Sequence, residues 1–321
     1  MATFNIGSIH FSISPVSIMQ CWIGIGWYAS GSAQEIKEFQ LFRDAFFPFL
    51  FSQDADMNIT EFCNASQQRI DEILREQALQ TDFILRFAKR LKDRMIPDNQ
   101  KQVIQLAEKY GALLCNWLSS PFGACGERAA QLLCDWGLAP PYRGLGAVGS
   151  FGDAIFGKYV PDLKAVCVQL DVVAQSDHPE IKFLETLLHE EVHAAIHCAV
   201  GDDGDPLQLT WLNELCAVLT SQHALRIAGQ EVLDRHDVQR LEKALCSNRK
   251  KQEYGQLADV VVQKTGDPLI ALKAWKKVFE LPGQEKRNYA KNGVITPILR
   301  DLGWQVNFPF KYENKYVTVF V

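Results

Sequence analysis

The sequence has no run of about 20 apolar residues, the length a helix needs to cross a bilayer. Its most apolar stretch, 18–29, is short and interrupted by Gln20, Gly24 and Gly26, so no transmembrane segment is expected. No charged side chain precedes Glu35, and the basic-then-apolar pattern of a secretory leader is missing. There is also no CxxC pair. The nine cysteines are scattered, odd in number and set in mostly apolar surroundings, which reads as reduced, buried thiols rather than a disulfide framework. These absences lead us to expect a cytoplasmic protein, or one exported by a route that needs no leader. Base is scarce relative to acid, with 33 Lys and Arg against 38 Asp and Glu and a net charge of -5. Nucleic-acid affinity rests on clustered cations, so neither nucleic acid nor membrane is an expected partner.

What is present is the composition of a packed protein, 47% hydrophobic and 22% charged over 321 residues. That length lies near the point where one core gives way to two domains. Phe4, Ile6, Ile9, Phe11 and Ile13 are spaced mostly by two, predicting a strand or hairpin edge before Pro15. From about 34 to 136 the apolar period becomes helical. Ile70, Ile73, Leu74, Ile84, Phe87, Leu91 and Met95 mark one stripe, and Val103, Leu106, Tyr110, Leu113 and Trp117 the next, divided at Pro97 and Asp98. The basic series Arg86, Lys89, Arg90, Lys92 and Arg94 closes a predicted helix and reads as a solvated face.

The Pro- and Gly-rich segment 139–162 is expected to be a boundary or an irregular, substrate-facing loop. Its Gly144, Gly146 and Gly149 spell GxGxxG, but Pro140 and Pro141 precede them where a strand is needed, so no dinucleotide site is expected. The run AVCVQLDVV at 165–173 predicts a strand, and Pro179 suits the first turn of a following helix. Beyond Pro206 the chain reads as mostly helical to about Leu302, with breaks near Gly229, Asn248, Gly266 and Pro282. It closes on strand-like runs around Trp304 and at 316–321. The expected fold is α+β and helix-rich, with a mainly helical region over 1–139 and a second region with a small sheet over 140–321.

The chemistry is concentrated in His189-Glu190-Glu191-Val192-His193, an HExxH motif within the predicted helix. On an α-helix two residues four apart lie about 40° apart around the axis and about 6 Å along it. Both imidazoles can therefore reach one ion from one face. Glu190 lies about 100° from His189, on the flank nearer His193, where its carboxylate can serve a water beside the ion. Leu184, Leu188, Val192 and Ala195 form an apolar stripe opposite. A catalytic zinc needs a third protein ligand. His197 lies about 12 Å along the helix from His189, too far to share the ion. Glu214 is the better candidate, in TWLNELCAVLTSQ, where Trp211, Leu212, Leu215, Val218 and Leu219 have helical spacing. The loop AVGDDGDPLQ between the two helices has the Gly, Asp and Pro to turn the chain back.

HEEVH followed by WLNELCA resembles the gluzincin pattern of thermolysin-like zinc metallopeptidases, in which a second helix carries NExxA. The resemblance covers roughly 165–220. It implies a zincin-like fold and one Zn2+ per chain, held by His189, His193 and Glu214 with Glu190 as general base. It also implies hydrolysis of a peptide or protein substrate. Thermolysin-like members place an Asp one turn after the ligand Glu to orient a histidine. Val218 stands there in this chain, so the histidine's partner is expected elsewhere.

Zincins also resemble one another in laying an extended peptide along a strand above the active helix, a role expected here for the edge formed by 166–173. In such a site Glu190 accepts a proton from water and passes it to the leaving amine. Tyr254, Tyr289 and His223 are available as donors to the developing oxyanion, with Tyr254 preferred because His223 falls about 180° from Glu214 on a continuous helix. Two other readings compete. A di-iron bundle needs a second ExxH, and no other histidine has an acidic residue three positions before it. An inactive zinc-binding or interaction module derived from a zincin has the same motif with its fourth position closed.

Overall fold

A computed structural model of the chain describes residues 2–7, 9–24, 32–54, 56–138, 143–150, 155–161, 165–200, 210–251, 254–281, 301–302, 307–312 and 315–320. Its strands are β1 (Ala2–Ile6), β2 (Ile9–Ile13), β3 (Arg143–Ala147), β4 (Gly157–Val160), β5 (Ala165–Gln169), β6 (Asn307–Tyr312) and β7 (Lys315–Phe320). The helices are α1 (Pro15–Gly24), α2 (Ala33–Ser52), α3 (Ile59–Glu76), α4 (Asp82–Arg94), α5 (Pro97–Leu118), α6 (Pro121–Asp135), α7 (Leu170–Val173), α8 (Pro179–Val200), α9 (Thr210–Val232), α10 (Arg235–Lys251), α11 (Gly255–Thr265) and α12 (Ile270–Phe279). The fold is α+β and helix-rich. Two compact units interleave in sequence: one comprises 1–5, 10–119 and 142–179, the other 6–9, 120–141 and 180–321. The sequence reading places a single boundary, after 139.

The first unit is built on a five-stranded mixed sheet of order β1-β2-β3-β5-β4, with β2, β3 and β5 parallel and β4 antiparallel to β5. The segment 139–162, expected to be irregular, supplies β3 and β4. Glycine is tolerated in β3 because the backbone there passes close to another side chain: a Cβ on Gly146 would stand 3.1 Å from the Ile13 side chain. The strand expected over 165–173 ends at Gln169 and turns into α7. Nor is β5 an edge, because β3 and β4 flank it, and the peptide-docking role expected for it fails. Its five residues are all buried, as an apolar run without alternation requires of an interior strand.

The single stripe read over 70–95 is two helices. Between α3 and α4 the chain turns at 77–81, with Ala78 at φ 49, and the buried Glu38 of α2 holds the turn. Its Oε2 accepts the N–H of Gln80 at 3.1 Å, the N–H of Thr81 at 3.0 Å and the Thr81 hydroxyl at 2.9 Å. Elsewhere the starts follow local chemistry: Ser32 and Glu35 form a capping box on α2, and Pro97, Pro121 and Pro179 open α5, α6 and α8.

In the second unit α9 is central, packed against α6, α10, α11 and α12. The breaks expected near Gly229 and Asn248 fall three residues later, where α9 ends at Val232 and α10 at Lys251. Gly229 lies inside α9 because Leu241 of α10 occupies the space a Cβ would need, and Asn248 lies inside α10. The break at Gly266 is observed, as α11 ends at Thr265. β6 and β7 form an antiparallel pair that includes part of the strand-like run expected at 316–321. Pro282, Trp304 and the loop 201–209 lie outside the described residues. All nine cysteines are free; the expectation of buried thiols holds at Cys21, Cys63, Cys125, Cys167 and Cys216, but Cys134 is half-buried and Cys115, Cys198 and Cys246 are exposed. Among the described residues no helix is long and apolar enough to cross a membrane.

Candidate metal centre

α8 is buried on nearly every side. Leu184, Leu188 and Val192 are buried on its apolar stripe, and so are the polar Lys182, Glu185, Thr186 and Glu190. Side-chain bonds show how α9 lies against it: His193 meets Asn213 at the start of α9, whereas Glu185, earlier in α8, meets Gln222, later in α9. The two helices therefore run antiparallel, as the sequence expectation requires.

This pairing brings Glu214 across to the two histidines. The ligand atoms of His189, His193 and Glu214 all lie within 4.8 Å of one another. His193 Nε2 is 3.0 Å from His189 Nε2, while Glu214 Oε2 lies 3.3 Å from His189 Nε2 and Glu214 Oε1 lies 3.4 Å from His193 Nε2. Bonds of 2.0–2.2 Å to a tetrahedral zinc place neighbouring donors about 3.3 Å apart. The three separations therefore fit such an ion, and the N, N, O donor set suits zinc. Among the described residues no fourth His, Cys, Asp or Glu joins this group. The flanking side chains keep some solvent contact, 15% for His189, 12% for His193 and 32% for Glu214.

The electrostatics are those of a cation site. Burial alone would favour neutral His193, but the Glu214 carboxylate, with help from Glu190 and Asn213, raises its pKa to about 9. Burial likewise opposes ionisation of Glu214, yet the two imidazoles hold its carboxyl well below the usual carboxylate range. Without an ion, a proton on His193 supplies the positive charge that the geometry concentrates there, and a divalent cation would displace it.

Two residues of this region escaped sequence reading. Asn213 Oδ1 accepts from His193 Nδ1–H at 2.9 Å, which leaves Nε2 as the lone-pair donor. Asn213 is thus the partner that Val218 could not be, and its only signal was its place beside Glu214. Glu191, at an x position of HExxH, is fully buried, both carboxylate oxygens lack a hydrogen-bond partner among the described residues, and burial pushes its carboxyl well above the ordinary value. A neutral carboxylic acid is the form that burial favours.

The remaining expected residues lie in the same unit. Glu190 is 9% exposed and adds its negative charge to the field at His193. Tyr254 is buried just before α11, a helix packed against α9. His223 stacks on Trp136, with ring centroids 5.6 Å apart, and neither it nor His197 belongs to the three-residue group. Tyr289 lies outside the described residues. Comparison of the chain with family profiles, curated proteins and solved structures finds no match.

Proposed function

We propose that this chain is a zinc-dependent metallopeptidase of gluzincin type with a zincin-like catalytic region, hydrolysing a peptide or protein substrate. One zinc per chain is held by His189, His193 and Glu214. The observation that carries the reading is the convergence of these three donors, from two antiparallel helices, at separations a tetrahedral ion requires. Bound there, zinc supplies Lewis acidity that polarises a carbonyl and acidifies a water. The chain's own residues do the rest. Asn213 fixes the ring of His193. Glu190, largely withdrawn from solvent, takes the proton from water and delivers it to the leaving nitrogen. Tyr254 is the proposed donor to the developing oxyanion. The proposed setting is the cytoplasm.

The test is zinc content by elemental analysis together with peptide hydrolysis. Near one zinc per chain is expected. Glu190→Ala should keep the metal and lose at least a hundredfold in hydrolysis, whereas His193→Ala and Glu214→Ala should weaken metal binding. Folded protein that takes up no zinc on reconstitution overturns the reading. Full zinc occupancy without hydrolysis of any peptide library would instead leave a non-catalytic zinc-binding module.

A further inference from the structure

One helical turn before His189, the buried carboxylate of Glu185 (1% exposed) sits among donors from three helices. Gln222 of α9 donates Nε2–H to Oε1 at 2.6 Å, Asn248 of α10 donates Nδ2–H to Oε2 at 2.7 Å, and Lys182 of α8 reaches Oε2 at 3.4 Å. Burying a carboxylate costs several kcal/mol unless it is paired and hydrogen-bonded, and this one is bonded from α8, α9 and α10. Replacing a whole buried ionic cluster by apolar side chains is often neutral for stability, so stability alone does not account for the presence of this one.

We propose that Glu185 is a positioning residue for the metal centre, setting the axial register of α8 against α9 so that Glu214 meets His189 and His193. The proposal rests on the zinc reading above. Besides the contacts of Glu214 itself, polar rungs join the helices at His193–Asn213 and Glu185–Gln222, and Glu214 lies between Asn213 and Gln222 along α9. Apolar faces tolerate sliding; directional hydrogen bonds at two heights do not. A slip of one residue moves a side chain about 1.5 Å along the axis and turns it by about 100°. Metal ligation tolerates about 0.2 Å. Asn248, bonded from α10, holds the same carboxylate from outside the pair and keeps it from following α9.

The experiment uses the full chain and three readouts: zinc affinity by competition with a chromophoric chelator, the visible spectrum of the cobalt-substituted protein, and the melting temperature. Glu185→Ala is expected to weaken zinc binding about tenfold or more and to alter the cobalt bands as Glu214 leaves its place. Glu185→Gln should fall in the same direction. Combining it with Gln222→Glu rebuilds the carboxylate–amide bond with reversed polarity and should recover most of the lost affinity. Wild-type zinc affinity and an unchanged cobalt spectrum in Glu185→Ala, even at a lower melting temperature, overturn the proposal. So does an exchange variant no better than Glu185→Gln, a comparison that decides the matter if Glu185→Ala does not fold. Wild-type protein that binds no zinc defeats the zinc reading and this proposal together. Zinc-binding wild type with indifferent Glu185 variants defeats this proposal alone.

Discussion

Asn213 touches the metal centre through a single hydrogen bond, to the ring nitrogen of His193 that faces away from Glu214. Such partners set ring orientation and basicity, so Asn213→Ala should lower zinc affinity 10- to 100-fold while all three donors remain, as chelator competition would read. Unchanged affinity would mean that His193 is oriented by packing. Glu191 makes the opposite case: a fully buried carboxyl with no partner among the described residues opposes folding. Glu191→Leu, which fills similar space without a polar atom, should stabilise the protein by about 1–3 kcal/mol in urea denaturation. A loss of stability would show that the carboxyl is satisfied in solution. Sequence reading reached the two histidines through spacing, and Glu190 and Glu214 through their helical setting together with the gluzincin resemblance. It passed over Asn213 and Glu191 because orientation and burial depend on residues brought from elsewhere.

Elements were readable where their signal is local. Pro97 and Pro179 were read as helix starts, and Pro121 and the Ser32–Glu35 box, which that reading passed over, carry the same kind of local signal. The turn between α3 and α4 was not readable, because Glu38 of α2, far away in sequence, supplies the acceptor. Glu38→Ala should therefore destabilise the protein by about 1–3 kcal/mol, leaving two backbone N–H groups without their acceptor. Burial raises the Glu38 carboxyl, but bonds from Gln34, Thr81 and Gln80 outweigh it and the net shift is downward. A folded value below the unfolded one contributes stability in full above the usual value of 4.5 and loses it as pH falls through the folded value. Urea denaturation from pH 7 down to pH 3 should show a steeper acid loss in wild type than in Glu38→Gln. Equal slopes would remove Glu38 from the acid transition.

At the scale of the molecule, all the proposed ligands and their supports belong to the second unit. Zinc binding should therefore raise hydrogen-exchange protection across α8 and α9 and leave β3 and β5 of the first unit unchanged. Free zinc at 100 times its Kd should stabilise the folded state by about 2.7 kcal/mol, and chelation should remove that increment. Protection spread equally over both units would show that they open together.

The sequence carried what a segment imposes on itself: helix over strand for most of 34–136, the start of α8 at Pro179, and two imidazoles on one face of a helix. These follow from hydrogen bonds and side-chain periods spanning a few residues, and they hold wherever the segment packs. Tertiary structure decided that β5 is interior, that a glycine-rich stretch becomes β3 beside Ile13, and that Gly229 packs under Leu241 in the last turn of α9. It also placed Asn213 and the Glu185 clamp. Each depends on side chains far apart in sequence arriving at one place, and burial and pairing are properties of that meeting rather than of any one segment.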